Sequence, residues 1–253
     1  MNLDRTLRSR LTAAGQEFLW DWLDQLAPRK REHLLRQLDS IDFDLVGALG
    51  RGEGLAEPPG GSLEPLPYVP LADRGTDPGS AALGTEALRQ GRVAFAMLAG
   101  GQASRLRFDG PKGAYPIGPV TDRSLFRILT EQILRARRDF GVLPPLAITT
   151  SSTTDAATRH FYERHDCFGM DRDHLAFACQ GSLPALDDDG RLMLGAPDRI
   201  FTSPDGHGGA VLALERDGVL ADWESRGVDV VCTFQVDNPV LCVVDPEFLG
   251  RLL

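Results

Sequence analysis

The 253-residue chain reads as an α/β fold, with helices and strands alternating around a mostly parallel sheet and a helical segment placed in front. Three observations predict it. From Val93 onward, short apolar or β-branched runs alternate with stretches of helical periodicity, the order that a parallel sheet with crossover helices requires. Before Val93 the apolar residues recur at helical spacing. A hydrophobic content of 42% supplies enough apolar surface for a sizeable core.

The elements follow in order. Leu11, Phe18, Leu19, Trp22 and Leu23 fall near a helical spacing, as do Leu34, Leu35 and Leu38, so residues 1 to about 50 are read as helices. From Gly52 to Gly79 the chain is rich in Gly and Pro, which predicts extended loop laid across another surface. A short helix at Ala81–Gln90 leads into a strand at Val93–Leu98. Leu125–Phe140 is an amphipathic helix with Ser124 as its N-cap. Leu146–Thr150 is a strand, Thr154–His165 a helix and Leu175–Cys179 a further strand. In LPALDDDGRLML, Asp189–Gly190 is a turn between two apolar arms, a hairpin signal. Ala210–Arg226 reads as one helix, Val228–Phe234 as a buried strand, and CVVDPEFLGRLL as a strand followed by a helix. The domain boundary is expected near residue 90, with 1–90 as lead-in and 91–253 as the main body.

Charge and cysteine usage narrow the function classes. A formal net charge of −9 argues against a general nucleic-acid or membrane-surface binder, so any phosphate must meet a local basic cluster, a metal ion or backbone amides. Cys167, Cys179, Cys232 and Cys242 form no CxxC pair and read as reduced thiols of a cytosolic protein. No signal-peptide pattern and no run of about 18 apolar residues is present. A soluble cytoplasmic protein is expected.

Three loops at the carboxyl ends of predicted strands, where open sheets bind ligands, carry the chemistry. The first, LAGGQASRLRFDGPKG from Leu98 to Gly113, has no side chains at Gly100 and Gly101, so its amides approach an anion closely. Gln102, Arg105 and Lys112 follow. It is neither a Walker loop nor the GxGxxG fingerprint, which counts against a Rossmann dehydrogenase. The second, Ser203–Gly209, places glycines ahead of a helix; His207 is there either a ligand contact or a polar loop residue. The third, FQVDNP, follows a β-branched run. Asp237 reads either as a metal carboxylate or as a turn residue bonding its own backbone. Asp187-Asp188-Asp189 lacks calcium-loop spacing and reads as an exposed turn, and the His160 and His165 pair reads as surface histidines.

Taken together these loops resemble the UDP-sugar pyrophosphorylase family, on the side of its N-acetylglucosamine members. The family loop LAGGQGTRLG…PKG is similar to Leu98–Gly113, with the same spacing from Arg105 to Lys112. Gln180–Ala185 resembles the uridine-contacting QxxLPA segment, Pro204–Gly209 resembles PDGNGG, and Gln235–Asn238 resembles the VDN metal loop. The likeness runs from about Val93 to Leu253. Arg107 stands where the family has Gly, and His207 where the N-acetylhexosamine branch has Asn, as in glucose and broad-specificity members.

The resemblance implies a Rossmann-like, GT-A-like nucleotidyltransferase fold in three layers. It implies transfer of uridylate from UTP to a sugar 1-phosphate, N-acetylglucosamine 1-phosphate first and glucose 1-phosphate second, with release of pyrophosphate. Leu98, Ala99, Gly100, Gly101, Gln102, Gln180, Pro184 and Gly206 would bind the nucleotide, with Gln102 or Gln180 reading the uracil edge. Arg105 would bind the leaving pyrophosphate, Lys112 would neutralise the α-phosphate, His207 would meet the sugar and Asp237 would carry Mg²⁺. Family members usually continue well past the VDN loop, whereas this chain ends at Leu253. A truncated chain is therefore expected, and a fragment that binds uridine nucleotide without turnover stands beside the active enzyme as a reading.

Overall fold

The computed structural model describes residues 3–53, 64, 65 and 68–253. In chain order its helices and strands are α1 (Leu3–Ala13), α2 (Phe18–Leu23), α3 (Pro28–Asp39), α4 (Phe43–Gly50), α5 (Pro78–Arg89), β1 (Val93–Leu98), α6 (Leu125–Phe140), β2 (Leu146–Thr150), α7 (Asp155–Arg164), β3 (Leu175–Cys179), β4 (Ser182–Pro184), β5 (Leu194–Ala196), β6 (Arg199–Ile200), β7 (Thr202–Pro204), α8 (Gly206–Arg216), α9 (Val219–Ser225), β8 (Val230–Gln235) and α10 (Pro246–Leu252). The chain divides into two compact units, residues 1–66 with 182–203 and residues 67–181 with 204–253. The middle of the Pro/Gly-rich segment lies outside the described residues. Among the described residues no helix is long and apolar enough to cross a membrane.

In the larger unit four strands form a parallel sheet in the order β3-β2-β1-β8. Alternate residues of a strand face opposite sides, and here the two sides differ in size. Val93, Phe95 and Met97 of β1 join a core with Leu125, Phe126, Leu129 and Ile133 of α6, Leu88 of α5, Tyr162 of α7 and Leu249 of α10. Ala94 and Ala96 face the other way, with Ala147 and Ala178, and meet Ala213 and Leu214 of α8 and Trp223 of α9. The small residues give that second helical layer a shallow face to pack on. Tyr162 is fully buried; its hydroxyl pairs with Thr130 at 3.0 Å, and burial pushes its ionisation far up.

The smaller unit packs α1 to α4 around Leu11, Leu19, Leu23, Leu34 and Leu38, with Leu192 and Ile200 from the excursion after β4. Two glutamines tie that excursion down. Gln16 is buried, donates to Gly190 O at 2.9 Å and accepts from Leu192 N at 2.8 Å. Gln37 donates to Asp198 O and accepts from Ile200 N. Each amide side chain thus stands in for a neighbouring strand, satisfying main-chain groups that burial would otherwise penalise. The hairpin expected at Asp189–Gly190 is present, closed by Asp187 Oδ1, which accepts from Asp189 N and Arg191 N.

Ser124 caps α6 by accepting from Arg127 N, as its position in the sequence predicts. Three expectations need correction. The helix expected over Ala210–Arg226 is two helices, because Gly218 takes φ +74° and ends the first of them. No strand forms at Cys242–Val244; Val243 N donates to the side chain of Gln132 at 3.0 Å instead of to a ladder. The strand expected to be buried at Val228–Phe234 is β8, the last of the four in its sheet, and Val231 and Thr233 are exposed while Phe234 is buried.

Helices α5 and α10 approach so closely that both contact residues must be glycine. A Cβ on Gly84 would sit 1.9 Å from Pro246 O, and one on Gly250 would sit 1.7 Å from Ser80 O. Both obstacles are backbone and have no rotamer to escape into. Gly250→Ala is expected to destabilise the larger unit by about 1–3 kcal/mol, read as a lower urea midpoint. A surface control at Gly75, where φ is +81° but nothing lies within 4 Å, should lose less.

Candidate functional site

Parallel register decides what meets at the carboxyl edge of the sheet. Leu98 of β1 is level with Thr149 of β2 and Gln235 of β8, and Thr150 is level with Cys179 of β3. The residues just past these ends are Gly100, Ser151, Gln180 and Asp237. The strand order reverses between β1 and β8, so the loops that leave them diverge and open a crevice. A cavity of about 230 Å³ lies there, lined by Leu98, Gly100, Gly101, Lys112, Gln180, Pro204, Gly206, His207, Ala210, Gln235, Val236 and Asp237.

The loop after β1 is held by its carbonyls. Gly100 O accepts from Ser151 Oγ at 2.7 Å, Gly101 O accepts from Lys112 N at 3.0 Å, and Gly110 O accepts from Ala103 N at 3.1 Å. The N–H groups of Gly100, Gly101 and Gln102 make no hydrogen bond to any described residue. Such a run of free donors has the chemistry an anion requires. Ser151 is itself buried and braced by Thr154, whose Oγ1 accepts from Ser151 N at 3.1 Å. Gly100 is also pressed close to Gln180: a Cβ there would meet Gln180 Oε1 at 3.0 Å.

Lys112 is set by its neighbours. Pro111 fixes the approach at φ −66°, and Lys112 opens a 3-10 turn. Gly113 rests on the ring of Phe126, where a Cβ would fall 2.2 Å from Cε1. The Lys112 ammonium donates to Asp237 Oδ2 at 2.8 Å, the two side chains being 33% and 41% exposed. That hydrogen bond and the lysine's charge hold the Asp237 carboxyl below its ordinary range, against the opposing effect of partial burial. Arg107, in the place where the resembled family has Gly, adopts a left-handed backbone at φ +52°. A side chain is therefore carried in a conformation that glycine adopts without strain.

The structure brings together Leu98, Gly100, Gly101, Lys112, Gln180, Gly206, His207 and Asp237 around this one cavity. Ala99 is buried beside it and bonds Thr149 O. Gln102 bridges Pro111 through its main chain. Arg105 does not line the cavity; it is exposed in the 3-10 turn Ser104–Leu106 and has no hydrogen-bond or ionic partner among the described residues. Pro184 belongs to the smaller unit, where it lines a cavity with Gln37 and Ile200. His165 Nδ1 lies on Phe161 O at 2.8 Å.

The sequence does not assign two polar contributors, Gln235 at the cavity and Ser151 beneath it. Gln235 was detectable as the first polar residue after an apolar strand. Ser151 was not, because a Ser/Thr run after a strand carries no mark of which hydroxyl turns inward.

For cation binding, Asp237 is the cavity's carboxylate, and no group of three or more metal-capable side chains occurs among the described residues. The donor set fits a hard cation that brings phosphate oxygens and water with it, as Mg²⁺ does, and does not fit an all-protein cage.

The depressed carboxyl pKa fixes a sign. The ion pair's contribution to stability is present above the ordinary carboxylate range and is lost as pH falls through the lowered Asp237 value. For a pair this exposed it amounts to less than about 1 kcal/mol. Wild type and Asp237→Asn should therefore differ slightly in urea midpoint at pH 7 and converge as pH falls below the lowered Asp237 value.

Known proteins bear on this site. The family described as UTP–glucose-1-phosphate uridylyltransferase matches over residues 79–253. The chain is 33% identical over 268 residues to UDP-N-acetylglucosamine diphosphorylase 1 of Arabidopsis thaliana, covering 98% of this chain and 52% of that one. It is 33% identical over 247 residues to the UDP-N-acetylglucosamine pyrophosphorylase of Saccharomyces cerevisiae, covering 95% and 51%. Among solved structures, the uridine diphosphate N-acetylglucosamine pyrophosphorylase of Trypanosoma brucei superposes with a TM-score of 0.73 at 29% identity, over 99% of this chain and 54% of that one. The UDP-glucose pyrophosphorylase of Leishmania major shares the fold, with a TM-score of 0.61 at 16% identity over 87% and 44%. The chain thus spans about half the length of the relatives it matches. On the family match and these identities, the chain belongs to the UTP–glucose-1-phosphate uridylyltransferase family.

Proposed function

We propose that the cavity at the carboxyl edge of the sheet binds UTP with a divalent cation and transfers uridylate to a sugar 1-phosphate, releasing pyrophosphate. One observation supports this above the others. The free main-chain donors of Gly100 and Gly101, an ammonium and a carboxylate surround one cavity, in a chain whose net charge would otherwise repel a triphosphate. N-acetylglucosamine 1-phosphate is the acceptor favoured by the names of the relatives at 33% identity.

The chemistry is displacement at the α-phosphorus by an oxygen of the sugar phosphate, with pyrophosphate departing in line. It needs positioning and charge neutralisation and no covalent enzyme intermediate. The amides of Gly100, Gly101 and Gln102 would hold phosphate oxygens. Gln180, packed against Gly100, presents a carboxamide that matches the donor and acceptor edge of a uracil ring. Lys112 stabilises charge at the α-phosphate, and unpaired Arg105, on the same loop, meets the departing pyrophosphate. Mg²⁺, when bound, would supply charge neutralisation across the phosphates, and Asp237 would hold it. Asp237 accepts from Lys112 at 2.8 Å, so its engagement with a cation would free the ammonium for phosphate.

The test is incubation with UTP, Mg²⁺ and a panel of sugar 1-phosphates, with pyrophosphate release measured and products identified by mass spectrometry. UDP-N-acetylglucosamine is the expected product. Uridine nucleotide binding without pyrophosphate release would refute the transferase role. Lys112→Ala is expected to lower kcat by about 10²–10³-fold, as loss of one preorganised donor does elsewhere. Gly100→Ala should weaken UTP binding, measured by calorimetry, by displacing Gln180. Gly101→Ala should do so less, since its Cβ would meet nothing closer than Lys112 Cε at 3.7 Å.

A further inference from the structure

The smaller unit holds a cavity that uridylyl transfer does not use. Its volume is about 640 Å³, within the range of small-molecule sites, and every residue that lines it belongs to that unit. The chain builds its apolar wall from two places. Leu45 and Leu49 fall four residues apart on α4 and so share a face of that helix, and Leu183 comes from β4. These leucines stay 45%, 42% and 52% exposed, a concentration of accessible apolar surface that marks a contact for something else. Ile41, Val46 and Ile200, all buried, continue the same lining.

The polar lining divides by whether each group already has a partner. Asp42 caps α4, its Oδ1 accepting from Asp44 N at 3.1 Å and Leu45 N at 3.0 Å. His33 Nδ1 lies 3.2 Å from Asp198 Oδ2. Gln37 is held by Asp198 O and Ile200 N, and Ser40 Oγ donates to Gln37 O at 2.8 Å. Arg199, Ser182 and Thr202 differ from these: their side chains make no hydrogen bond or ion pair with any described residue. Arg199 is thus the charged side chain of the lining that has no partner among the described residues. An unpaired guanidinium beside accessible leucines sets two requirements on a ligand. Its head must offer anionic oxygens that the planar fork can grip, and its body must be apolar enough to gain by covering the leucines.

We propose that the smaller unit binds a small amphipathic anion, a carboxylate or phosphate monoester with an aliphatic body, with Arg199 holding the head and Leu45, Leu49 and Leu183 covering the chain. The site is independent of the uridylyl-transfer reading above.

Calorimetric titration of the full chain with decanoate, decyl phosphate, decanol and acetate tests it, on wild type, Arg199→Gln, Leu49→Gln and Lys112→Ala. Arg199 and Leu49 are both exposed, and urea midpoints check that the variants are folded; Leu45→Gln replaces Leu49→Gln if the latter is not. Wild type should bind one equivalent of decanoate or decyl phosphate, about tenfold more tightly than decanol or acetate, as a charge-assisted head contact predicts. Arg199→Gln should bring decanoate down to the affinity of decanol and leave decanol unchanged, whereas Leu49→Gln should weaken both. Lys112→Ala, at the other cavity, should leave decanoate binding as it is. Absence of binding, equal affinity for decanoate and decanol, indifference to Arg199→Gln, or weakening by Lys112→Ala overturns the inference. So does Arg199-dependent sedimentation with phosphatidylglycerol vesicles in place of binding to the free amphiphiles, which would make this face a membrane contact.

Discussion

Gly100, Gly101 and Gln102 expose three successive main-chain N–H groups that nothing in the larger unit satisfies, although unsatisfied main-chain donors are costly wherever water is scarce. Much of the surrounding structure keeps them that way. Ser151 and Lys112 N bind the carbonyls of the same residues, so the loop is anchored through its acceptors and its donors stay outward. Thr154 braces Ser151, and Phe126 lies under Gly113, fixing the two ends of the loop to β2 and α6. The Gly100–Gln102 segment thus keeps its donors outward without a charged side chain of its own.

Charge then enters in a small, mobile amount. The chain as a whole is acidic, and the cavity's one lysine is paired with Asp237. A triphosphate entering alone would compete with Asp237 for that lysine, whereas one arriving with a cation would supply a new partner to each. On the proposed function, this geometry would favour a metal–nucleotide complex over either component by pair exchange. Arg105 lies outside the cavity and is unpaired among the described residues.

Much of this was legible in the sequence because it rests on local rules. The helix cap at Ser124, the strand at Val93–Leu98 and the Asp187 hairpin each declare themselves within a few residues. The glycine pair after β1 and Lys112 in its Pro-Lys-Gly frame declare themselves by residue type. What was not legible depends on pairing between distant segments. The exposure of β8 is a matter of its place in the sheet, which its β-branched run does not encode. Val243 gives its N–H to Gln132, 111 residues away, so its segment looks like a strand and is not one. The unit that joins residues 182–203 to the N-terminal helices is held by Leu192 and Ile200 in the shared core and by Gln16 and Gln37, whose amides act as strand edges that no periodicity reveals.

Small residues connect the fold to the site. The alanines on one face of the sheet let α8 lie close to it, with its first turn at the carboxyl edge, where Gly206, His207 and Ala210 line the cavity. Asp205 is placed to cap that helix, yet its side chain makes no cap bond. It lies instead in a notch between two glycines: a Cβ on Gly209 would fall 1.7 Å from its Oδ1, and one on Gly181 2.4 Å from its Oδ2. Its Oδ1 is buried there without a hydrogen-bond partner. A carboxylate drawn away from the N-cap position leaves the first-turn N–H groups of α8 uncapped, at the positive end of the helix dipole. The glycines at 181 and 209 therefore do more than allow a turn. They accommodate a carboxylate that makes no side-chain cap bond to the first turn of α8.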